Sequence, residues 1–326
     1  MLGCGGSHSG RRMRNYLRAC VSVAVATAGI VAGQSNANAD PLLPDCSDGW
    51  QSATLTTTPV PLENLESDGA GGFYLSASDI GELRHIDADG TVRTVLSGLV
   101  HPGGIRVAGN FVYFVTGDHF TAPTGELVRY DPTTGELVTL VTGLNMPNGL
   151  LLLPDGDLLV ATSRDVHGIS RYRPSTGEFT AGWADVPGAN GLALAPDGRS
   201  VYTTDLTFQV EQIPLDAPHE VHRVLGVPDH VVLPDDLDAT ASGELYLADH
   251  AVGSVDRIDP ATGTACTIVT GVVKPAPIRI PPDGPTSVRI AHDPDGWVLY
   301  VTAADGTLRR MVPPPGVDLT PGVRPH

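Results

Sequence analysis

One pattern recurs six times along the chain and decides what it can fold into. Each copy has a key residue, then Gly or another small residue, an apolar–x–apolar run, a turn of the Pro-Asp-Gly type, and a strand rich in aromatic and β-branched residues. The copies begin at Glu63, Gly103, Asn148, Asn190, Asp235 and Thr286, at spacings of 40, 45, 42, 45 and 51 residues. A period of this length is that of a four-stranded propeller blade, a unit that buries its apolar faces only against neighbouring copies.

A second hairpin follows in most copies. Its turns are chemically legible in Asp87–Gly90, Asp131–Gly135, Arg173–Gly177 and Asp259–Gly263, where Asp or Pro opens the turn and Gly accepts positive φ. Flanking segments such as 127–130 and 136–141 alternate apolar and polar residues, the period of half-buried strands. No sustained helical period appears after residue 39. The chain is therefore expected to be all-β, a six-bladed β-propeller over residues 55–312. The last copy lacks an outer strand, and the strand-like segment 53–60 is expected to supply it, which removes a free sheet edge.

Residues 1–39 read as an export address. A basic stretch from Arg11 to Arg18 precedes an apolar run over 19–32 and the small-residue site Ala37-Asn38-Ala39. That run falls short of the ~20 residues of a spanning helix. A secreted chain cleaved near Ala39 is expected, with an N-terminal extension over 40–54 and a Pro-rich tail over 313–326. Cys46 and Cys266 then remain in a compartment that permits disulfides. They fall just before the outer strand of blade six and within the outer strand of blade five, so a bridge between neighbouring blades is expected.

The whole chain carries 20 Lys and Arg against 37 Asp and Glu, a net charge of -17. The first 39 residues hold four Arg and no acid, so beyond them the balance is 16 against 37, or -21. A surface of that sign repels phosphate backbones and anionic lipid headgroups, which argues against nucleic acid and membrane partners. A monomer acting on a small molecule is expected.

In a propeller the starts of the inner strands converge at one end of the central channel. Four of the six key residues, Glu63, Asn148, Asn190 and Asp235, carry oxygen donors. Two carboxylates and two amide carbonyls suit Ca²⁺ or another hard divalent cation, whereas a ring without Cys or His disfavours zinc and copper. Asp87-Ala-Asp-Gly90 mimics the start of a calcium loop but lacks the closing Glu, and reads as a hairpin turn.

Leu-Glu63-Asn-Leu, Met-Pro-Asn148-Gly-Leu, Ala-Asn190-Gly-Leu-Ala-Leu and Leu-Pro-Asp235-Asp-Leu together resemble the regucalcin and gluconolactonase propellers, with paraoxonases and strictosidine synthase-like proteins as more distant relatives. The resemblance covers about residues 55–312. It implies a channel metal on Glu63, Asn190 and Asp235, with Asn148 contacting substrate and metal. It also implies ester or lactone hydrolysis, with Asp235 as general base toward water. Members that take sugar lactones carry an Arg two residues before the Asn148 position, where this chain has Met146, so a sugar substrate is not implied. Paraoxonase-like relatives use histidine. His101 is then the first candidate, and His119, His230 and His250 lie in loops able to reach the same mouth. A propeller that only binds a ligand or protein, and a lyase or strictosidine synthase-like enzyme, are the rival readings, since a fold alone does not choose a reaction.

Overall fold

The computed structural model describes residues 43–226, 233–273 and 284–324. The expected signal segment over 1–39 and His230 lie outside the described residues.

Six four-stranded antiparallel sheets make up the fold. Blade one consists of β2 (Leu65–Ser67), β3 (Phe73–Ala77), β4 (Glu82–Ile86) and β5 (Val92–Leu96); blade two of β6 (Ile105–Ala108), β7 (Phe111–Thr116), β8 (Gly125–Tyr130) and β9 (Leu137–Leu144). Blade three runs through β10 (Pro147–Leu152), β11 (Leu158–Thr162), β12 (Ile169–Arg173) and β13 (Glu178–Ala184), and blade four through β14 (Ala189–Leu194), β15 (Ser200–Asp205), β16 (Gln209–Pro214) and β17 (His222–Gly226). Blade five holds β18 (Pro234–Ala239), β19 (Leu245–Asp249), β20 (Ser254–Asp259) and β21 (Thr264–Val269). Blade six joins β22 (Pro285–Asp293), β23 (Gly296–Ala303) and β24 (Thr307–Val312) to β1 (Gln51–Thr57), its outer strand. A single short 3₁₀ turn, Ser78–Ile80, is the only helix among the described residues.

The closing strand thus comes from the start of the described chain, pairing Gln51 with Val312 and Thr57 with Thr307. It begins two residues earlier than the sequence reading placed it. Cys46 and Cys266 are disulfide-bonded across blades six and five, and Cys46 N–H donates to Thr267 O at 2.9 Å.

Apolar contacts lie between blades rather than at one centre. Leu151, Leu159 and Ile169 of blade three meet Leu192 and Val201 of blade four. Leu65, Leu75 and Phe73 of blade one meet Val298 and Tyr300 of blade six, with the Phe73 and Tyr300 rings 4.3 Å apart. In blades two and three the inner strands sit too close to their neighbours for a side chain at the position after the key residue. A Cβ on Gly149 would stand 2.1 Å from Asn190 O, and one on Gly104 2.5 Å from Asn148 O.

The Pro-rich segment after β24 is part of this unit. Leu319 is buried, Thr320 O accepts from Ala241 N–H at 2.7 Å, and Arg324 donates to Asp238 Oδ2 at 2.5 Å and Ile290 O at 2.7 Å. Prolines there exclude a ladder strand but not packing.

Candidate functional site

Four consecutive inner strands are entered through the same backbone device. His101, Met146 and Leu233 have φ of 41°, 55° and 55°, and Gly188 has 72°. Each lies two residues before a key position: Gly103, Asn148, Asp235 and Asn190 respectively. For residues with a Cβ the left-handed region costs about 1–2 kcal/mol each, and such strain gathers where surrounding structure holds a site in place. Three of the four precede Pro, whose ring excludes the ordinary helical alternative for the residue before it.

The ring forms, with one member exchanged. Asn148, Asn190 and Asp235 are buried at the starts of β10, β14 and β18, and Glu63 keeps an edge open beside them. Gly103 offers no side chain, and the space it leaves is taken by Asp118 from the end of the neighbouring strand; a Cβ on Gly103 would lie 2.9 Å from Asp118 Oδ2. Blade two therefore contributes a carboxylate that the repeat register did not reveal. Its signal was an acid in Gly117-Asp118-His119 opposite a key position with no side chain. Thr286 is not a ring donor: its hydroxyl donates to Leu62 O at 2.8 Å and clasps blade six to blade one.

Hydrogen bonds orient the ring. Asn148 Nδ2 donates to both oxygens of Asp118, at 3.2 and 3.1 Å. Asn190 Nδ2 donates to Asp235 Oδ1 at 3.0 Å, while Asn190 Oδ1 is buried with no partner. Gly191 N–H donates to Thr204 Oγ1 at 2.7 Å, and that hydroxyl donates to Asp235 O, fixing the Asp235 backbone.

Burial drives the Glu63 carboxyl well above its ordinary range, and the charges of Asp235 and Asp118 push it further. Asp235 is raised first by burial and then by Asp118 and Asp236, against the opposing bond from Asn190. Asp118 is pushed up to about 7 by burial, with the Asn148 bond opposing. The charges that raise Glu63 and Asp235 are those of neighbouring acids. Further down the channel, acids and bases alternate. Asp236 Oδ2 meets Arg289 Nη1 at 2.9 Å, and Glu66 Oε2 meets Arg106 Nη1 at 3.1 Å and Arg289 Nε at 3.5 Å. Asp238 pairs with Arg324. Three acids face three arginines there, so the deep channel is neutral and its mouth is not.

The donor set fits a hard cation. An orphaned amide oxygen and carboxylates that no Arg of the described residues pairs with are groups that a bound cation would satisfy. Among the described residues no group of three or more His, Cys, Asp or Glu side chains is placed to hold one ion, so a site here must draw on the amides.

His101 stacks on His119 with ring centroids 4.4 Å apart, and its Nδ1 is buried without a partner. Among the described residues the histidine beside Asp235 is His250, whose Nδ1 lies 3.7 Å from Asp235 Oδ2 and 3.2 Å from Pro285 O.

No protein-family model matches the sequence, and no curated protein matches it. Solved structures do. A gluconolactonase from Xanthomonas campestris superposes with a TM-score of 0.67 at 19% identity, covering 82% of this chain and 91% of that one. The calcium-binding protein regucalcin from Agrobacterium tumefaciens gives 0.65 at 18%, covering 84% and 98%. An auxiliary nutrient binding protein from Bacteroides ovatus gives 0.63 at 14%, covering 81% and 77%. On its strand order and these superpositions, the chain has the six-bladed β-propeller fold of gluconolactonase and regucalcin.

Proposed function

We propose that this protein is an exported, divalent-cation-dependent lactone or ester hydrolase. The observation that carries the reading is the cluster of Glu63, Asp118 and Asp235, three acids with no Arg paired to them among the described residues, joined by the unpartnered Asn190 Oδ1. Glu63, Asn148, Asn190 and Asp235 would hold the cation, Ca²⁺ by the hardness of the donors. When bound, it supplies polarisation of the substrate carbonyl and a lower pKa for water at the site.

The chain's own groups do the rest. Asn190 engages Oδ1 of Asp235 and so leaves Oδ2 as the oxygen that takes a proton from water. His250 beside that oxygen favours its ionised form whenever the imidazole is charged. The Gly191–Thr204–Asp235 chain holds the carboxylate in register. The fold neighbours described as a gluconolactonase and a calcium-binding protein support both halves of the reading.

The test is calcium titration by calorimetry together with hydrolysis of lactones and aryl esters, with and without calcium. Calcium-dependent turnover is expected, with binding weakened and turnover lost in Asp235→Asn. Parental turnover by metal-saturated Asp235→Asn overturns the base assignment. Calcium binding without turnover of any ester or lactone favours the binding-only reading, which the nutrient binding neighbour exemplifies.

A further inference from the structure

Exposed large apolar side chains are not scattered over this molecule. Of the seven among the described residues, four lie on one face: Ile80 at 42% exposed, Val100 at 49%, Phe120 at 65% and Val166 at 66%. Ile80, Phe120 and Val166 sit in the second-to-third-strand connections of blades one, two and three, and Val100 in the connection entering blade two. Antiparallel alternation puts all four connections at the end of the channel where the inner strands begin, the end that carries the carboxylate ring.

The connections are tied into one continuous arc. Leu99 N–H donates to Gly81 O at 3.0 Å, and Gly117 N–H to Val100 O at 2.6 Å. Arg164 Nη1 donates to Phe120 O at 3.0 Å, and Ser163 N–H to Met146 O at 2.9 Å. The arc also reaches the ring itself, because Asp118 and His119 precede Phe120 and His119 stacks on His101. A mouth with a carboxylate floor and an apolar rim on one side suits an amphiphile.

We infer that the apolar arc of Val100, Phe120 and Val166 receives an alkyl arm of the substrate, so that the molecule acted on is an alkyl-substituted lactone or ester and not a polyhydroxylated sugar lactone. The placement of the carbonyl rests on the hydrolase reading; the apolar arm does not. Sugar hydroxyls laid on Val100, Phe120 and Val166 would lose water without gaining partners from those side chains, and Met146 offers no donor for them.

The experiment therefore uses non-hydrolysable ligands, ε-caprolactam with and without a decyl arm, titrated calorimetrically into the full chain. The arm should tighten binding at least about tenfold, the gain from burying about two methylenes. The Phe120→Ser, Val166→Ser double variant should lose that gain, and both positions are exposed enough to spare the fold. Leu137→Ser, on an outer strand, should keep it. Equal affinities for the two lactams, or a gain retained in the double variant, overturn the inference. So does Phe120-dependent sedimentation with phosphatidylcholine vesicles, which would make the arc a lipid-docking face. Phe120-dependent binding of the decyl lactam, in a protein that hydrolyses no lactone or ester, keeps the alkyl subsite and removes the hydrolase reading together with the lactone or ester head group.

Discussion

Both carboxylate oxygens of Asp118 accept from the same amide nitrogen, Nδ2 of Asn148, at 3.2 and 3.1 Å. One neutral donor is little compensation for a buried charge, and the Asp118 carboxyl is pushed up to about 7. Its folded pKa lies above the unfolded value of about 3.9, so its contribution to stability is full below pH ~4 and lost as pH rises through ~7. The metal-free protein should therefore weaken between those limits. Asp118→Asn should remove much of that slope and stabilise the metal-free fold at pH 8 by on the order of 2–4 kcal/mol. Urea unfolding in chelator at pH 5 and pH 8 checks this; equal pH slopes in parent and variant would sink it.

His250 and His101 separate two chemistries. With His250 Nδ1 3.7 Å from Asp235 Oδ2, His250→Gln should lower kcat/KM for a lactone about tenfold and move the acid limb of the pH–rate profile upward. His101→Gln should change the rate less than about twofold, a few tenths of a kcal/mol. The reverse ranking would favour the histidine mechanism of paraoxonase-like relatives over the carboxylate one.

Asp256 is a buried acid remote from the ring. It accepts from Thr267 Oγ1 at 2.7 Å and Ser254 Oγ at 3.3 Å, and burial still raises its carboxyl to about 6. Stability from its neutral form is present below pH ~4 and lost as pH rises through ~6. Asp256→Asn keeps an acceptor for Thr267 and should stabilise the protein at pH 7.5 by about 1–3 kcal/mol, with no gain at pH 4. Differential scanning calorimetry at the two pH values reads the difference.

The Cys46–Cys266 bridge spans 220 residues of sequence. Replacing both cysteines with Ser should cost about 2–5 kcal/mol, since long loops gain most from closure in the unfolded state. Alkylation and mass spectrometry of unreduced protein should find neither thiol free; two alkylated thiols would contradict the bridge.

The blade count and the closing strand were legible from the repeat register, and the disulfide from the register together with the export segment that leaves Cys46 and Cys266 as a pair. Asp118 was not, because its role arises from what Gly103 lacks, and a register shows only side chains that are present. Thr286 fits the register but spends its hydroxyl on Leu62 O. Met146 and Leu233 gave no hint of a left-handed backbone, a conformation that propensity assigns to Gly. His250 was legible as a loop histidine able to reach the mouth, but its place beside Asp235 was not, because only the return of β19 brings the two together. The tail after residue 312 read as an appendage because its prolines exclude strands, yet Arg324 completes the charge pairing of the lower channel.

Blade six is built from β1 and β22–β24, so its outer edge is made first and its partner last. About 250 residues separate Thr57 from Thr307. At ribosomal rates of about 5–20 residues per second, the first strand would wait roughly 10–50 s for its partner to be synthesised. Until then its backbone donors and acceptors have no ladder, and the five other blades must be held as an open arc. The ring therefore closes as a late event that depends on the synthesis of β24. Agents that capture an extended strand during that interval would intercept this protein before it has a finished mouth to bind anything.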